Sequence, residues 1–315
     1  MNDISKPAES VEAPAPARLR LPEWLRFQLP TSPAFGRTRA LLDELKLRTV
    51  CQSAKCPNHW ECWSKGTATF IIAGDRCTRA CAFCAVATAK PLPLEPDEPA
   101  RVAEATRRLG LNHIVITAVA RDDLPDGGAG HFRQTIEHVR QLNPGITIEV
   151  LVPDFLGKDE AIDAVLAAHP HIFNHNLETV RRLTPAVRHR ATYDRSLGVL
   201  EKVKNRCGHS IHTKSGLMLG LGETEDELLQ AMEDLRRARC DILTLGQYLQ
   251  PTLRHLPVAE YVPPETFARH KKTAENMGFV HVASGPMVRS SYHADEFPAG
   301  APRRAATAPD GDGGR

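Results

Sequence analysis

No apolar run in the chain approaches the roughly 18 residues that a membrane-spanning helix requires. There is no apolar leader core either, and Asp3, Glu9 and Glu12 are out of place in an acid-poor transit peptide. An excess of one charge is also missing. Lys and Arg number 40 against 38 Asp and Glu, a formal net charge of +2, which leaves no basic footprint for nucleic acid. These absences predict a protein of the reducing cytoplasm with neither a membrane nor a nucleic acid as partner. At 42% hydrophobic and 25% charged residues, the composition is that of an ordinary globular protein. The 315 residues suit one large α/β domain with extensions, or two small domains.

Cysteine is scarce except in one place. Six of the eight lie between positions 51 and 84, as the triplets Cys51, Cys56, Cys62 and Cys77, Cys81, Cys84. In a reducing compartment, clustered cysteines point to metal ligands rather than disulfides. What each triplet lacks is a fourth thiolate. A closed structural zinc takes four protein ligands, whereas a [4Fe–4S] cluster held by three cysteines keeps one iron free. Cys207 and Cys240 stand alone and read as inert buried thiols.

Residues 1–17 and 298–315 are rich in Ala and Pro and read as disordered tails. Between them, apolar β-branched runs at 69–73, 113–119, 146–152, 171–175, 215–221 and 241–245 alternate with helical patterns. The helices are expected at 99–109, 131–142, 158–168, 193–206, from Thr224 onward and at 264–277. Thr224 and Glu227 have the spacing of a capping box, and Asn143-Pro144-Gly145 is a strong helix stop. The apolar runs are continuous rather than alternating, the mark of parallel strands covered on both faces. Six strand–helix units predict an α/β fold, a partial (β/α)6 TIM-like barrel, with a doubly wound open sheet as the alternative. In either fold the reactive loops follow the strand C-termini. The second triplet, directly after the first strand, then lies at the active face. The first falls in an N-terminal extension, 18–67, ahead of the barrel and C-terminal segment, 68–297.

The spacing of Cys77-Thr-Arg-Ala-Cys81-Ala-Phe-Cys84, C-x3-C-x2-C with aromatic Phe83 before the last cysteine, wraps a short loop around one cluster. It resembles the signature of the radical S-adenosylmethionine (SAM) superfamily. The resemblance implies that the open iron holds the amino and carboxylate groups of SAM, whose cleavage gives a 5′-deoxyadenosyl radical. Zinc would need a fourth ligand nearby, and ferredoxin runs have four cysteines and a following proline. The first triplet has the spacing C-x4-C-x5-C. By spacing alone it is a three-thiolate metal site, with His59 either a further ligand or, more commonly, a packing residue.

Longer segments carry a closer resemblance. The block from Cys51 through CPNHWECWSKGTATFIIAGDRCTRACAFCAV is similar to the lipoyl synthase family. So are residues 116–132, 173–197, 214–224 (KSGLMLGLGET), 246–262 and 285–294 (GPMVRSSYHA), and the similarity extends over about residues 20–295. Ala120 departs from it, since many members carry Asp there. By this resemblance Cys51, Cys56 and Cys62 bind an auxiliary [4Fe–4S] cluster, closed by Ser291 of Arg289-Ser290-Ser291-Tyr292. Read alone, the serine pair is a turn or helix cap. The implied activity is a sulfurtransferase reaction. Two sulfur atoms enter at C6 and C8 of a protein-bound N6-octanoyl-lysine to give the lipoyl group, with the auxiliary cluster as donor and SAM consumed. Implied partners are octanoylated lipoyl carrier domains (2-oxoacid dehydrogenase E2 or glycine cleavage H protein), an electron donor such as flavodoxin or ferredoxin, and an iron–sulfur carrier for cluster repair. Another dual-cluster radical SAM enzyme, acting on a peptide, is the competing reading.

Asn176 and Glu178, just after the fourth strand, are expected to contact SAM, or else to cap a helix. Glu223, after Gly220 and Gly222, is a further candidate, although these glycines also suit a tight turn. No Lys-Ser/Thr follows them, so this is no phosphate-binding Walker loop. Arg181, Arg182, Arg188, Arg190 and Arg195 form the densest basic stretch, a docking site for an acidic carrier or a solvated face.

Overall fold

In the computed structural model the described residues are 20–26, 33–65, 68–188, 190–292 and 294. The expectations for the two terminal tails therefore lie outside the described residues. The strands are β1 (Arg48–Thr49), β2 (Thr69–Ile72), β3 (Arg76–Cys77), β4 (Ala87–Thr88), β5 (His113–Ala118), β6 (Thr147–Leu151), β7 (Ile172–Asn174), β8 (His212–Leu219), β9 (Ile242–Gln247) and β10 (His281–Gly285). The helices are α1 (Pro33–Glu44), α2 (Val50–Ser53), α3 (His59–Ser64), α4 (Glu98–Leu109), α5 (Ala129–Leu142), α6 (Asp159–Leu166), α7 (Thr184–Val187), α8 (Tyr193–Cys207), α9 (Glu225–Arg237) and α10 (Pro264–Asn276).

One eight-stranded sheet runs β1-β2-β5-β6-β7-β8-β9-β10. From β2 to β10 every neighbour is parallel; β1 alone is antiparallel, against β2. The two end strands do not pair, so the sheet curls into an open, partial barrel. The six expected strands are all present, and β10 adds a seventh parallel strand behind α10.

Local chemistry sets the helix ends. Thr224 accepts from the Glu227 amide at 3.3 Å while the Glu227 carboxylate accepts from the Thr224 amide at 2.9 Å, the reciprocal capping box that opens α9. Gly110, at φ +64°, closes α4 in the left-handed conformation that glycine enters without strain. Strand periodicity then separates two environments. Ile114 and Ile116 of β5 and Phe70 and Ile72 of β2 are fully buried in the core that includes Phe132, Ile136 and Val139 of α5. The alternate residues, Thr69, Ile71, Val115 and Thr117, line the barrel interior.

That interior is partly charged. Lys214 donates to both oxygens of Glu149, at 2.9 and 3.1 Å, and Asn174 donates to the same carboxylate at 3.0 Å. Burial opposes the charge of Glu149, but Lys214 and His113 outweigh it and hold its carboxyl below the usual range. With Lys214 paired in this way and the Thr213 amide donating to Asp241 at 2.9 Å, the polar stretch His212-Thr213-Lys214 is buried at the start of β8, so the strand starts three residues earlier than its apolar run suggests. It ends where Gly220 and Gly222 turn at φ +91° and +100°.

Candidate active site

A cavity of about 1180 Å³ opens into the barrel, and all six clustered cysteines lie on its wall. Phe83, Asn176, Glu178, Ser290 and Ser291 line it as well. The structure does not bring Glu223 there. Its two carboxylate oxygens accept from the Gly220 and Leu221 amides at 2.6 and 2.9 Å, so it closes its own turn after β8.

The loop carrying the second triplet is fixed from several directions. The turn before it begins at Ala73, a non-glycine residue at φ +64°. The Ala73 amide donates to buried Glu98 at 2.8 Å, and its carbonyl accepts from Arg121 at 3.0 Å. The Thr78 amide and hydroxyl both donate to the Ala120 carbonyl. Arg79, between Cys77 and Cys81, is buried and grips Asp122 with two bonds of 2.8 and 2.7 Å. It also reaches Asp154 at 2.7 Å. Burial opposes the Asp154 charge, but the bonds and charge of Arg79 prevail and hold the carboxyl at about 2. On the far side, His255 donates from Nε2 to the Cys84 carbonyl at 2.9 Å, which leaves Nδ1 to accept from the Thr252 hydroxyl at 2.8 Å. Asp122 and Arg121 are thus supports of the loop.

Asn176 and Glu178 follow β7, and no helix begins there; α7 starts only at Thr184. Glu178 sits at φ +68° and continues the ladder, donating its amide to Gly216 and accepting from Met218, each at 2.8 Å. A carboxylate residue held in a strained backbone at a cavity wall is a mark of a functional position. Asn176 donates to Glu178 at 3.1 Å and to Ser290 at 2.6 Å. Burial pushes the Glu178 carboxyl up, against the pull of Arg188. Gly216 is required beside them, since a Cβ there would come within 2.7 Å of Thr244 Oγ1 and 3.0 Å of Asn176 Oδ1.

The first triplet lies on the segment from α2 to α3, and residues 286–292 fold back across it as a strap. Asn58 donates to the Met287 carbonyl at 2.7 Å, the Tyr292 hydroxyl donates to Glu61 at 2.8 Å, and the Thr69 hydroxyl donates to Ser291 at 2.8 Å. His59 packs edge-on to Trp63 with ring centroids 4.3 Å apart and also touches Phe35, which is the packing role. The arginine run is mostly consumed within the fold. Arg181 pairs with Asp194, Arg182 with Glu227, Arg195 with Asp154, and buried Arg188 donates to the Asn176 carbonyl.

The donor set fits iron–sulfur clusters. All six thiols are free of disulfides. Burial is the leading cause that pushes Cys51 and Cys81 up to about 11 and Cys84 up to about 12. Such thiols stay protonated unless a metal takes the proton's place. Arg289 pulls the other way on Cys56, and Arg188 on Cys81, so cations stand beside both sets. Among the described residues no three His, Cys, Asp or Glu side chains converge on one ion. A cubane spreads its thiolates over separate irons and needs no such convergence. Among the described residues, no helix is long and apolar enough to cross a membrane.

The family model of the radical SAM superfamily matches residues 71–235, and that of the N-terminal domain of lipoyl synthase matches residues 2–56. A lipoyl synthase of Caldanaerobacter subterraneus subsp. tengcongensis is 56% identical over 277 residues, which is 88% of this chain and 96% of that protein. One from Chlorobium limicola is 54% identical over 281 residues, 89% of this chain and 96% of that protein. Among solved structures, Streptococcus suis SuiB bound to precursor peptide SuiA superposes with a TM-score of 0.54 at 11% identity, over 83% of this chain. This chain spans about half, 54%, of that one, and the likeness is one of fold.

Proposed function

Because the chain belongs to the lipoyl synthase family, within the radical SAM superfamily, its cofactors are SAM and [4Fe–4S] clusters, and we propose that its cavity divides the reaction between the two cysteine triplets. The enzyme is a sulfurtransferase that acts on a lipoyl-carrier protein. Cys77, Cys81 and Cys84 hold the cluster that serves SAM. Cys51, Cys56, Cys62 and Ser291 hold the auxiliary cluster that serves as sulfur donor. The observation that carries this reading is the placement of both triplets and Ser291 on one cavity wall.

The substrate chemistry requires such a cavity. Carbons C6 and C8 of an octanoyl chain offer nothing to an acid, base or nucleophile, and only hydrogen abstraction opens them. A reduced [4Fe–4S] cluster held by Cys77, Cys81 and Cys84 would supply the electron, and bound SAM the carbon fragment, that such an abstraction needs. The chain's own residues do the rest by placement. Asn176 and Glu178 present a carbonyl oxygen and a carboxylate toward the amino and ribose groups of SAM, and Phe83 packs beside the triplet. Ile71, Val115 and Leu151 give the acyl chain an apolar wall that keeps water from the reacting carbons.

The carriers that fit are octanoylated lipoyl domains of 2-oxoacid dehydrogenase E2 chains or glycine cleavage H protein. Flavodoxin or ferredoxin would supply electrons, and an iron–sulfur carrier would renew the auxiliary cluster. The test is anaerobic incubation of reconstituted protein with SAM, a reductant and an octanoyl-lysine peptide, read by mass spectrometry. A gain of two sulfur atoms is expected, and SAM cleavage with no sulfur gain overturns the reading. Cys81→Ala should abolish SAM cleavage, whereas Cys56→Ala should keep cleavage measurable and lose sulfur insertion.

A further inference from the structure

We propose that Thr69 is the positioning residue that turns Ser291, rather than its neighbour Ser290, toward the first cysteine triplet. The inference rests on the reading of Ser291 as the fourth ligand of that site. The two serines are adjacent, and apart from the family resemblance nothing in the sequence separates them. The structure gives each a different holder. Ser290 Oγ accepts from Asn176 Nδ2 at 2.6 Å, on the side of the cavity that carries Glu178. Ser291 Oγ accepts from Thr69 Oγ1 at 2.8 Å.

Thr69 is well suited to this task. It is the first residue of β2, paired in register with Val115 of β5, and its side chain is buried on the cavity face. A β-branched side chain in a strand has little freedom about χ1, so the strand fixes the direction of its hydroxyl. The Thr69 backbone also contacts the Cys51 thiol. One residue therefore touches both a thiol of the first triplet and the serine meant to complete it. The strap is pinned on either side of Ser291 by Asn58 and Glu61, which lie between Cys56 and Cys62. A serine hydroxyl is a poor ligand for iron beside thiolates and has three rotamers open to it. Its direction has to be imposed by a neighbour, and Thr69 imposes it.

The test uses the full chain, reconstituted anaerobically and then challenged with EDTA. Iron retained per chain and the paramagnetic signal of a three-iron cluster are followed with time. Thr69→Val keeps the side-chain shape and suits a strand; thermal midpoints matched to wild type confirm that it folds. It should release iron about five-fold faster, the scale of one lost hydrogen bond. Thr69→Ser should restore the wild-type rate, Ser291→Ala should be at least as fast as Thr69→Val, and Ser290→Ala should resemble wild type. If Ser291→Ala is fast while Thr69→Val matches wild type, the role of Thr69 is overturned and the ligand reading stands. If Ser291→Ala matches wild type, the ligand reading fails with it. A fast Ser290→Ala beside a slow Ser291→Ala would reverse the assignment of the two serines.

Discussion

Gly246 admits no larger side chain. A Cβ at this position would lie 2.1 Å from the Val288 carbonyl oxygen, a clash with backbone that no rotamer relieves. Gly246→Ala should therefore lift the strap off β9. Iron analysis should show content falling from about eight toward about four per chain as one cubane's worth is lost. A second prediction concerns His175, buried under the cavity with Nδ1 donating to the Val152 carbonyl and Nε2 accepting from Ser196. Burial first, then Arg188, pushes it down to about 4. Unfolded, it would titrate near 6.5, so the unfolded state takes up the proton first as pH falls. The stability tied to neutral His175 is complete above about 6.5 and lost between there and about 4, on the order of 3 kcal/mol. Urea midpoints measured across that window should fall more steeply for wild type than for His175→Gln. At this scale the thiols were legible because their side-chain type announces their chemistry. Thr69, Arg79 and His255 were not, because each acts through a partner distant in sequence, and a threonine or arginine has many commoner uses.

The element on which the chemistry depends most is the loop 77–84, and its rigidity comes from charge. Arg79 ties it to the ends of β5 and β6 through Asp122 and Asp154, and Arg195 shares Asp154 at 3.1 Å. Removing one partner of a buried ion pair strands the other charge and costs about 3–5 kcal/mol. Arg79→Met should lower the denaturation midpoint accordingly and sharply reduce SAM cleavage. Asp122→Asn, which keeps one acceptor oxygen, should be milder in both measurements. The elements themselves were largely readable, since six continuous apolar runs match β2 and β5 through β9. Of the strands that escaped notice, the two-residue β1, β3 and β4 are too short to leave a pattern, and His281–Gly285 buries only Val282 among its five residues, too little apolar patterning to stand out. The start of β8 was hidden for the opposite reason. Its residues are polar yet buried, and long-range pairings, Lys214 with Glu149 and Thr213 with Asp241, make that tolerable.

For the molecule as a whole, the barrel and the strap are held by different forces. The barrel rests on two large apolar clusters. The strap is fastened to the segment from α2 to α3 and to β2 by side-chain hydrogen bonds from Asn58, Thr69 and Tyr292. Loosening two of these fastenings should free the strap without unfolding the barrel. Tyr292→Phe combined with Asn58→Ala should speed limited proteolysis after residue 285 by about 30-fold, at about 1 kcal/mol for each of the two bonds. The thermal midpoint of the barrel should stay close to wild type. An unaltered digestion rate would mean that the strap is secured elsewhere.

The same arrangement fixes an order of events during synthesis. All six clustered cysteines lie within the first 84 residues to be synthesised, but the wall that encloses the first three is completed only by residues 286–292. Those thiols are made early and covered late, so a stretch more than 200 residues downstream decides when this chamber is closed. Were that stretch to detach while the barrel stays folded, as the proteolysis comparison tests, the chamber would open for its cluster to be renewed.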